Sequence, residues 1–143
     1  MSATPPPGTI VLLSRLAKAV VRAADEEALG MKYKAYAGLT LLRDAPQNQK
    51  DMCVAMHLDP NNCVLLLNDM EAAGHIRRVR DPEDRRRHIV ELTPAGKKAL
   101  ARAEHAMEGL EEEVLGALSP DERAQLRDLL ARAVAGAPAG QPA

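Results

Sequence analysis

Two stretches decide how this chain is read: LDPNNCVLLLNDMEAAG at residues 58–74 and DPEDRRRHIVELTPAG at residues 81–96. In the first, Asp59 offers an N-cap oxygen, and Pro60 takes the first helical position, where its missing N–H costs nothing. Gly74 closes the helix as a C′ residue. A shorter helix precedes it: Asn48 caps a segment with Asp51 at its third position and Met52, Val54, Ala55 and Met56 inside. Two short helices joined across Leu58 to Pro60 are a helix-turn-helix signature. Around the second stretch the periodicity changes. Ile76 and Val79 on one side, and Ile89, Val90 and Leu92 on the other, flank the polar run Asp81-Pro82-Glu83-Asp84, which predicts a hairpin with a longer loop.

Helices are expected on both flanks. From Ile10 to about Glu27, Leu12, Leu13, Leu16, Ala17, Val20, Val21 and Ala24 form a helical stripe, and a second helix runs from about Tyr33 to Arg43, before Ala45-Pro46. Thr93-Pro94 opens a long helix carrying Leu100, Ala103, Met107, Leu110, Val114, Leu115 and Leu118. Ser119 to Glu122 is a capping box that starts a last helix with Leu126, Leu129, Leu130 and Val134. The predicted order is four helices, two strands, two helices: a mainly α fold with a small β-hairpin wing. We expect flexible tails at 1–8 and 136–143 and one domain at 9–135. Within it, a winged helix spans about 33–93, and dimerisation helices span about 9–27 and 94–135. The terminal helices carry more Leu and Ala than a thin winged-helix module could cover, so an isologous homodimer is expected to bury them.

Composition narrows the function. The 143 residues are 46% hydrophobic and 27% charged, with a net charge of −1. Aromatics are 1%, only Tyr33 and Tyr36, so a base-stacking surface for RNA or single strands is excluded. No apolar run approaches the roughly 18–20 residues of a membrane span. Met1 to Gly8 lacks the basic and apolar regions of a secretory signal. Two cysteines cannot build a multi-bridge framework, and a cytoplasmic, reducing location is expected. Between His75 and Lys98, eight Lys and Arg residues face four acids, making one basic patch on an otherwise neutral to acidic chain.

A helix followed by a basic hairpin suits double-stranded DNA: the helix enters the major groove, and the loop reaches phosphates or the minor groove. Asn61 and Asn62 stand in the first turn of the fourth helix, and asparagine can bond adenine N6 and N7 together. Arg77, Gln49 and Lys50 are phosphate candidates. Taken alone, each of these residues also fits an ordinary solvated surface. No Gly-rich phosphate loop, G-x-S-x-G or H-E-x-x-H is present, and Ser119 is already used as a cap, so an enzyme is not expected. Cys53 and His57 share a helical face, with Cys63, His75 and His88 further on, but no tight C-x-x-C pair exists. The expectation is two small buried cysteines with no metal or cofactor, a thiol switch at Cys63 being the alternative.

The wing and the helix start after it, Asp81 to Gly96, resemble those of the multiple-antibiotic-resistance regulator (MarR) family. So do Leu58 to Asn62 and Met70 to Gly74, and the helix order and length extend the likeness over about 10–135. The resemblance implies an obligate dimer with interlocked first and last helices and two winged helices set on successive major grooves. It implies that Arg86, with Arg85 beside it, enters the minor groove while Asp84 braces the wing; narrow minor grooves attract arginine. Two departures stand out: Glu83, where the family often has a basic residue, and Cys63 to Leu67, where relatives commonly have serine and arginine. Base reading then falls to Asn61, Asn62 and apolar contact with thymine methyls. The family's peroxide sensors place a cysteine in the first helix, and this chain has none there. By resemblance a small ligand is expected between the dimerisation helices and the winged helix, near Leu16, Met31, Tyr33 and Tyr36, with Arg15 as an anion anchor. The expected function is a dimeric repressor on a palindromic operator, released by a small effector. The alternatives are a protein-interaction module and a metal- or thiol-responsive DNA-binding sensor.

Overall fold

The computed structural model describes residues 5–138. Its elements run α1 (Thr9–Ala23), α2 (Glu26–Leu29), α3 (Tyr33–Leu41), β1 (Gln47–Asn48), α4 (Gln49–Ala55), α5 (Pro60–Ala72), β2 (Ile76–Arg80), β3 (His88–Leu92), α6 (Pro94–Leu115) and α7 (Pro120–Gly136). The expected tails fall partly on 1–4 and 139–143, outside the described residues; Pro5 to Gly8 precede α1 without regular structure, while α7 continues to Gly136.

Each cap read from sequence is made. Asn48 Oδ1 accepts from the Lys50 N–H at 2.9 Å, Asp59 Oδ1 from Asn62 at 2.9 Å, and Thr93 Oγ1 from Gly96 at 2.9 Å. Ser119 and Glu122 satisfy one another's backbone N–H as a full capping box. The first helix is shorter than expected. Asp25 turns its carboxylate back to accept from the Ala28 N–H at 2.9 Å, so a new four-residue helix starts there and ends on Gly30 at φ 77°.

A further difference is β1, two residues that pair antiparallel with β3 (Gln47↔Val90, Asn48↔Ile89) and make a three-stranded sheet in the order β1-β3-β2. The hairpin itself pairs Ile76↔Leu92 through Arg80↔His88. The core lies between the sheet and the helices: Leu39 from α3, Met52 from α4, Cys63, Leu67 and Met70 from α5, Ile76 and Val90 from the sheet, and Leu100 and Ala103 from α6 are all buried. The buried α5 positions at i, i+4 and i+7 hold that helix by one face and leave the other free.

The cysteines correct the expectation of two independent buried thiols. Cys53 and Cys63 are joined by a disulfide, with their Cα atoms 5.6 Å apart. The turn at His57 to Asp59 folds α4 back on α5 and brings together residues ten apart in sequence.

The start of α6 is laced to the turn that follows α5. Thr93 Oγ1 donates to the Gly74 carbonyl at 2.5 Å, and the Thr93 N–H donates to that of His75 at 3.1 Å. Among the described residues, neither α1 nor α7 contains a fully buried side chain. Ile10, Val11, Leu12, Leu13 and Val21 on α1, and Leu129, Leu130 and Val134 on α7, are exposed.

Candidate nucleic-acid interface

A cleft of about 850 Å3 opens between α4, the start of α5 and the tip of the β2–β3 hairpin. Asn48, Gln49, Lys50, Asp51 and Cys53 line one wall, Pro60 and Val64 the floor, and Asp84, Arg86, Arg87 and His88 the opposite wall. Local chemistry sets each wall. The Asn48 cap fixes where α4 begins, and so places Gln49 and Lys50 at the cleft. The Gln49 Oε1 atom is buried there without a partner among the described residues.

The hairpin tip is a stack of local turns. The Asp81 N–H donates to the Arg87 carbonyl, the Arg87 N–H to the Asp84 carbonyl, and the Glu83 N–H to Asp81 Oδ1. Asp84 is the hub: its Oδ1 accepts from the Arg86 N–H at 3.1 Å and from Arg86 Nε at 3.2 Å, and its Oδ2 lies 3.5 Å from Arg87 Nε. Arg86 is 91% exposed, with Nε turned to Asp84 Oδ1 and Nη2 3.5 Å from Asp84 Oδ2, which leaves Nη1 without a protein partner among the described residues. Arg85 is also exposed, and its carbonyl accepts from Arg80 Nη1 at 3.1 Å.

The hydrogen bonds from Arg86 hold the Asp84 carboxyl below the usual aspartate range, with Arg87 adding to the effect. A lowered carboxylate pKa means that the brace is present above the ordinary value of 3.8 and is lost as pH falls through the depressed one. The amide NMR signals of Arg86 and Arg87 are therefore expected to stay fixed from neutral pH down to about 4 and to move only below it. In Asp84→Asn they should already sit at the displaced positions at pH 7. Early movement near pH 5 to 6 in the parent protein would contradict this account.

The two asparagines differ. Asn61 is exposed and its side chain has no hydrogen-bond partner among the described residues, whereas Asn62 Nδ2 donates to Asp59 Oδ2 at 2.7 Å, so its amide is partly spent on the helix cap. Beside them the outward face of α5 carries two apolar side chains: Val64 is exposed and Leu65 is 61% exposed. Arg77 lies outside the cleft, pairing across the sheet with Glu91 at the base of the hairpin.

Sequence reading missed Arg78. Its guanidinium donates to Asn68 Oδ1 at 2.5 Å and to Glu71 Oε1 at 3.0 Å, while its N–H meets Glu71 Oε2 at 3.2 Å. Those bonds hold the Glu71 carboxyl below its usual range and latch α5 onto β2. The strand period of two from buried Ile76 put Arg78 on the α5 side and was the available signal.

The residues expected around a ligand lie apart within one chain. Leu16 lines a mostly apolar groove of about 340 Å3 with Val20, Met107, Leu110, Leu126 and Leu130, between α1, α6 and α7, and Glu104, Glu108 and Glu111 of α6 also line it. Met31 lines a different hollow, of about 320 Å3, with Lys32, Leu66, Asp69 and His75. Tyr33 and Tyr36 pack against the core with ring centroids 6.3 Å apart. Burial, with a smaller effect from Glu104, raises the Tyr36 hydroxyl pKa and keeps it protonated. Arg15 is exposed on α1. No helix among the described residues is long and apolar enough to cross a membrane.

A helix-turn-helix whose second helix shares a cleft with a basic hairpin defines the winged helix-turn-helix class of DNA-binding proteins. Within that class the chain belongs to the MarR family, whose members are transcription regulators and not enzymes. The family's model matches residues 29–87. An uncharacterised HTH-type transcriptional regulator of Bacillus subtilis, YdgJ, is 32% identical over 113 residues, covering 73% of this chain and 69% of that protein. A Thauera aromatica protein assigned to transcriptional regulation of the hcr operon is 39% identical over 85 residues, 59% of this chain. The match spans about half of that relative, 51% of its length. Among solved structures, CouR from Rhodococcus jostii RHA1 bound to p-coumaroyl-CoA is 25% identical, covers 88% of this chain and 91% of its own, and has a TM-score of 0.74.

Proposed function

We propose that this chain is a dimeric transcription regulator that binds a palindromic site in double-stranded DNA, represses from it, and is released by a small phenolic or anionic ligand. The observation that carries the reading is the cleft between α4, α5 and the wing, with Arg86 anchored on Asp84 and projecting from its edge. Lys50, Arg85 and Arg87 surround it as phosphate partners, with Gln49 as a polar one. Asn61 offers a free amide to a base edge, while Val64 and Leu65 offer methyl groups. The reading helix therefore favours thymine methyls over guanine, and shape readout by Arg86 supplies part of the specificity. Arg77 and Asn62 take lesser parts, since Glu91 and Asp59 already engage them.

The dimer rests on α1 and α7, which lack buried side chains and display apolar faces to solvent in a single chain. Twofold symmetry then matches a palindromic operator. The groove at Leu16 and the ring pair Tyr33–Tyr36 offer apolar and aromatic surface to an effector, and the similar protein CouR was solved with p-coumaroyl-CoA bound. Such a ligand releases DNA only by binding the non-operator spacing of the two reading heads more tightly. A cytoplasmic protein organised as one unit over about 9–135 fits this role.

The test is fluorescence anisotropy with DNA from the gene's own upstream region against unlabelled random competitor, at several salt concentrations. Binding that survives competitor and weakens steeply with salt supports the proposal, because phosphate neutralisation demands that slope. Weak binding equal for all sequences would instead indicate a protein-interaction module. Arg86→Ala is expected to lose about 1 to 3 kcal/mol of operator binding, with its largest effect at A·T-rich positions. Unchanged affinity at about 150 mM salt would remove Arg86 from the interface.

A further inference from the structure

We infer that Cys53 and Cys63 are a peroxide-reactive dithiol, and that its oxidation closes a staple across the two helices of the reading head. Cys53 sits on α4 and Cys63 on α5, with their Cα atoms 5.6 Å apart. That separation is the one found with the bridge closed, and it lies within the range of roughly 4.4–6.8 Å usual for disulfides, so the α4–α5 turn accommodates the bridged form of the pair. The two positions are unequal in the way a sequential reaction requires. Cys53 is partly exposed and opens on the cleft between α4, α5 and the hairpin tip, where a small solute can enter. Cys63 is fully buried one turn into α5, in the same core as Leu67 and Met70.

The chemistry follows from that difference. The Cys53 thiolate attacks one oxygen of hydrogen peroxide, the O–O bond breaks, and after protonation water leaves Cys53 as a sulfenic acid. Cys63 sulfur then attacks the Cys53 sulfur, the S–O bond breaks, and the departing hydroxide takes up the Cys63 proton as a second water. Two thiols and one peroxide give one disulfide and two waters. The chain contains two cysteines in total, so an intrachain bridge can only be this one.

The ten-residue span that the bridge closes contains the whole turn of the helix-turn-helix, including His57 at φ 55°. That left-handed conformation is uncommon for a side-chain-bearing residue, and a bridge across the turn limits the alternatives open to the unfolded segment. Cross-linking fixes the α4–α5 angle and hence the relative placement of Lys50, on one wall of the cleft, and Val64 on its floor. The effect on DNA rests on the function proposed above; the thiol chemistry does not.

The experiment uses the full chain, fully reduced and then treated with about one equivalent of hydrogen peroxide. Expected results are an intact mass lower by two hydrogens, no titratable thiol after unfolding, no covalent dimer on a non-reducing gel, and a melting temperature higher by about 5 °C or more. Dithiothreitol should reverse all of these. Circular dichroism on the reduced parent protein establishes that it is folded without recourse to a variant. In Cys63→Ser, dimedone should trap sulfenic acid at Cys53, whereas in Cys53→Ser the buried Cys63 should stay reduced over the same interval. Persistence of both thiols, covalent dimers, or a bridge that leaves melting unchanged would each overturn the inference, and equally fast oxidation of Cys63 in Cys53→Ser would overturn the order of attack. On the same two preparations, the bridged form should bind operator DNA at least threefold more tightly, through preorganisation. Absence of DNA binding in both forms would defeat the regulator reading while leaving the thiol result intact.

Discussion

Gly96→Ala is expected to destabilise the protein by about 3 kcal/mol or more, lowering its melting temperature by about 10 °C. In an open helical position the same change would stabilise by roughly 0.5 to 1 kcal/mol, because alanine loses less backbone entropy on folding. Here a Cβ on residue 96 would stand 1.9 Å from the His75 carbonyl oxygen and 2.8 Å from its carbonyl carbon. Both are backbone atoms, so no rotamer change can make room. That carbonyl already accepts from the Thr93 N–H, and Thr93 Oγ1 reaches the neighbouring Gly74 carbonyl, so shifting either segment breaks the lacing between α6 and the end of α5. Gly109→Ala, in the same helix with nothing within 4 Å of the added carbon, is the control and should be neutral to stabilising. Thermal melts of the two variants side by side decide it, and equal melting temperatures would show that the joint is soft.

The joint matters beyond stability. α6 leaves it toward the groove shared with α1 and α7, while α5 leaves it toward the cleft. On the proposed function, a displacement of α6 by a ligand or a partner chain would reach the reading helix by way of Gly74, His75, Thr93 and Gly96. The Arg78 latch onto Asn68 and Glu71 ties α5 to the hairpin.

Ile10→Glu combined with Val134→Glu is expected to convert the proposed dimer to monomer at micromolar concentration and to weaken operator binding by about a hundredfold or more. Ile10 is 73% and Val134 72% exposed within one chain, so the new carboxylates meet little of their own protein. Their intrachain cost should stay within about 0.5 kcal/mol. In an apolar contact between two copies, four charges would be buried without partners, at several kcal/mol each. The loss on DNA follows because a monomer engages one half-site and forfeits the high effective concentration of the second, worth about 10² to 10⁴ in affinity. Light scattering gives the mass, and anisotropy gives the affinity. A double variant that remains dimeric and binds normally would place the interface elsewhere and leave the apolar faces of α1 and α7 unexplained. Because partner binding also stabilises the folded chain by mass action, parent melting should rise with protein concentration, and that dependence should vanish in the variant.

What the sequence determined by itself was punctuation and polarity. Asn48, Asp59-Pro60, Thr93-Pro94 and the box from Ser119 to Glu122 act over three residues or fewer, so the starts of α4, α5, α6 and α7 were legible directly. The basic hairpin was legible from its own residues, whereas the role of Asp84 came only from the family resemblance, although its bonds too are local, to residues two and three positions along. Asp25 obeys the same short-range rule and was overlooked because the apolar stripe of α1 runs up to Ala24, masking the cap behind it.

Tertiary structure decided what depends on distant segments meeting. β1 is too short to show a strand period and exists only because β3 pairs with it. Arg77 could be counted as positive charge, but only the register of β2 on β3 shows that Glu91 engages it. Gly96 looks like any helical glycine until the His75 carbonyl arrives against it. The spacing of Cys53 and Cys63 is shared by many cysteine pairs that never touch; the turn at His57 is what brings these two together. Local hydrogen bonds leave their signature in neighbouring residues, whereas contacts between elements depend on how the whole chain packs.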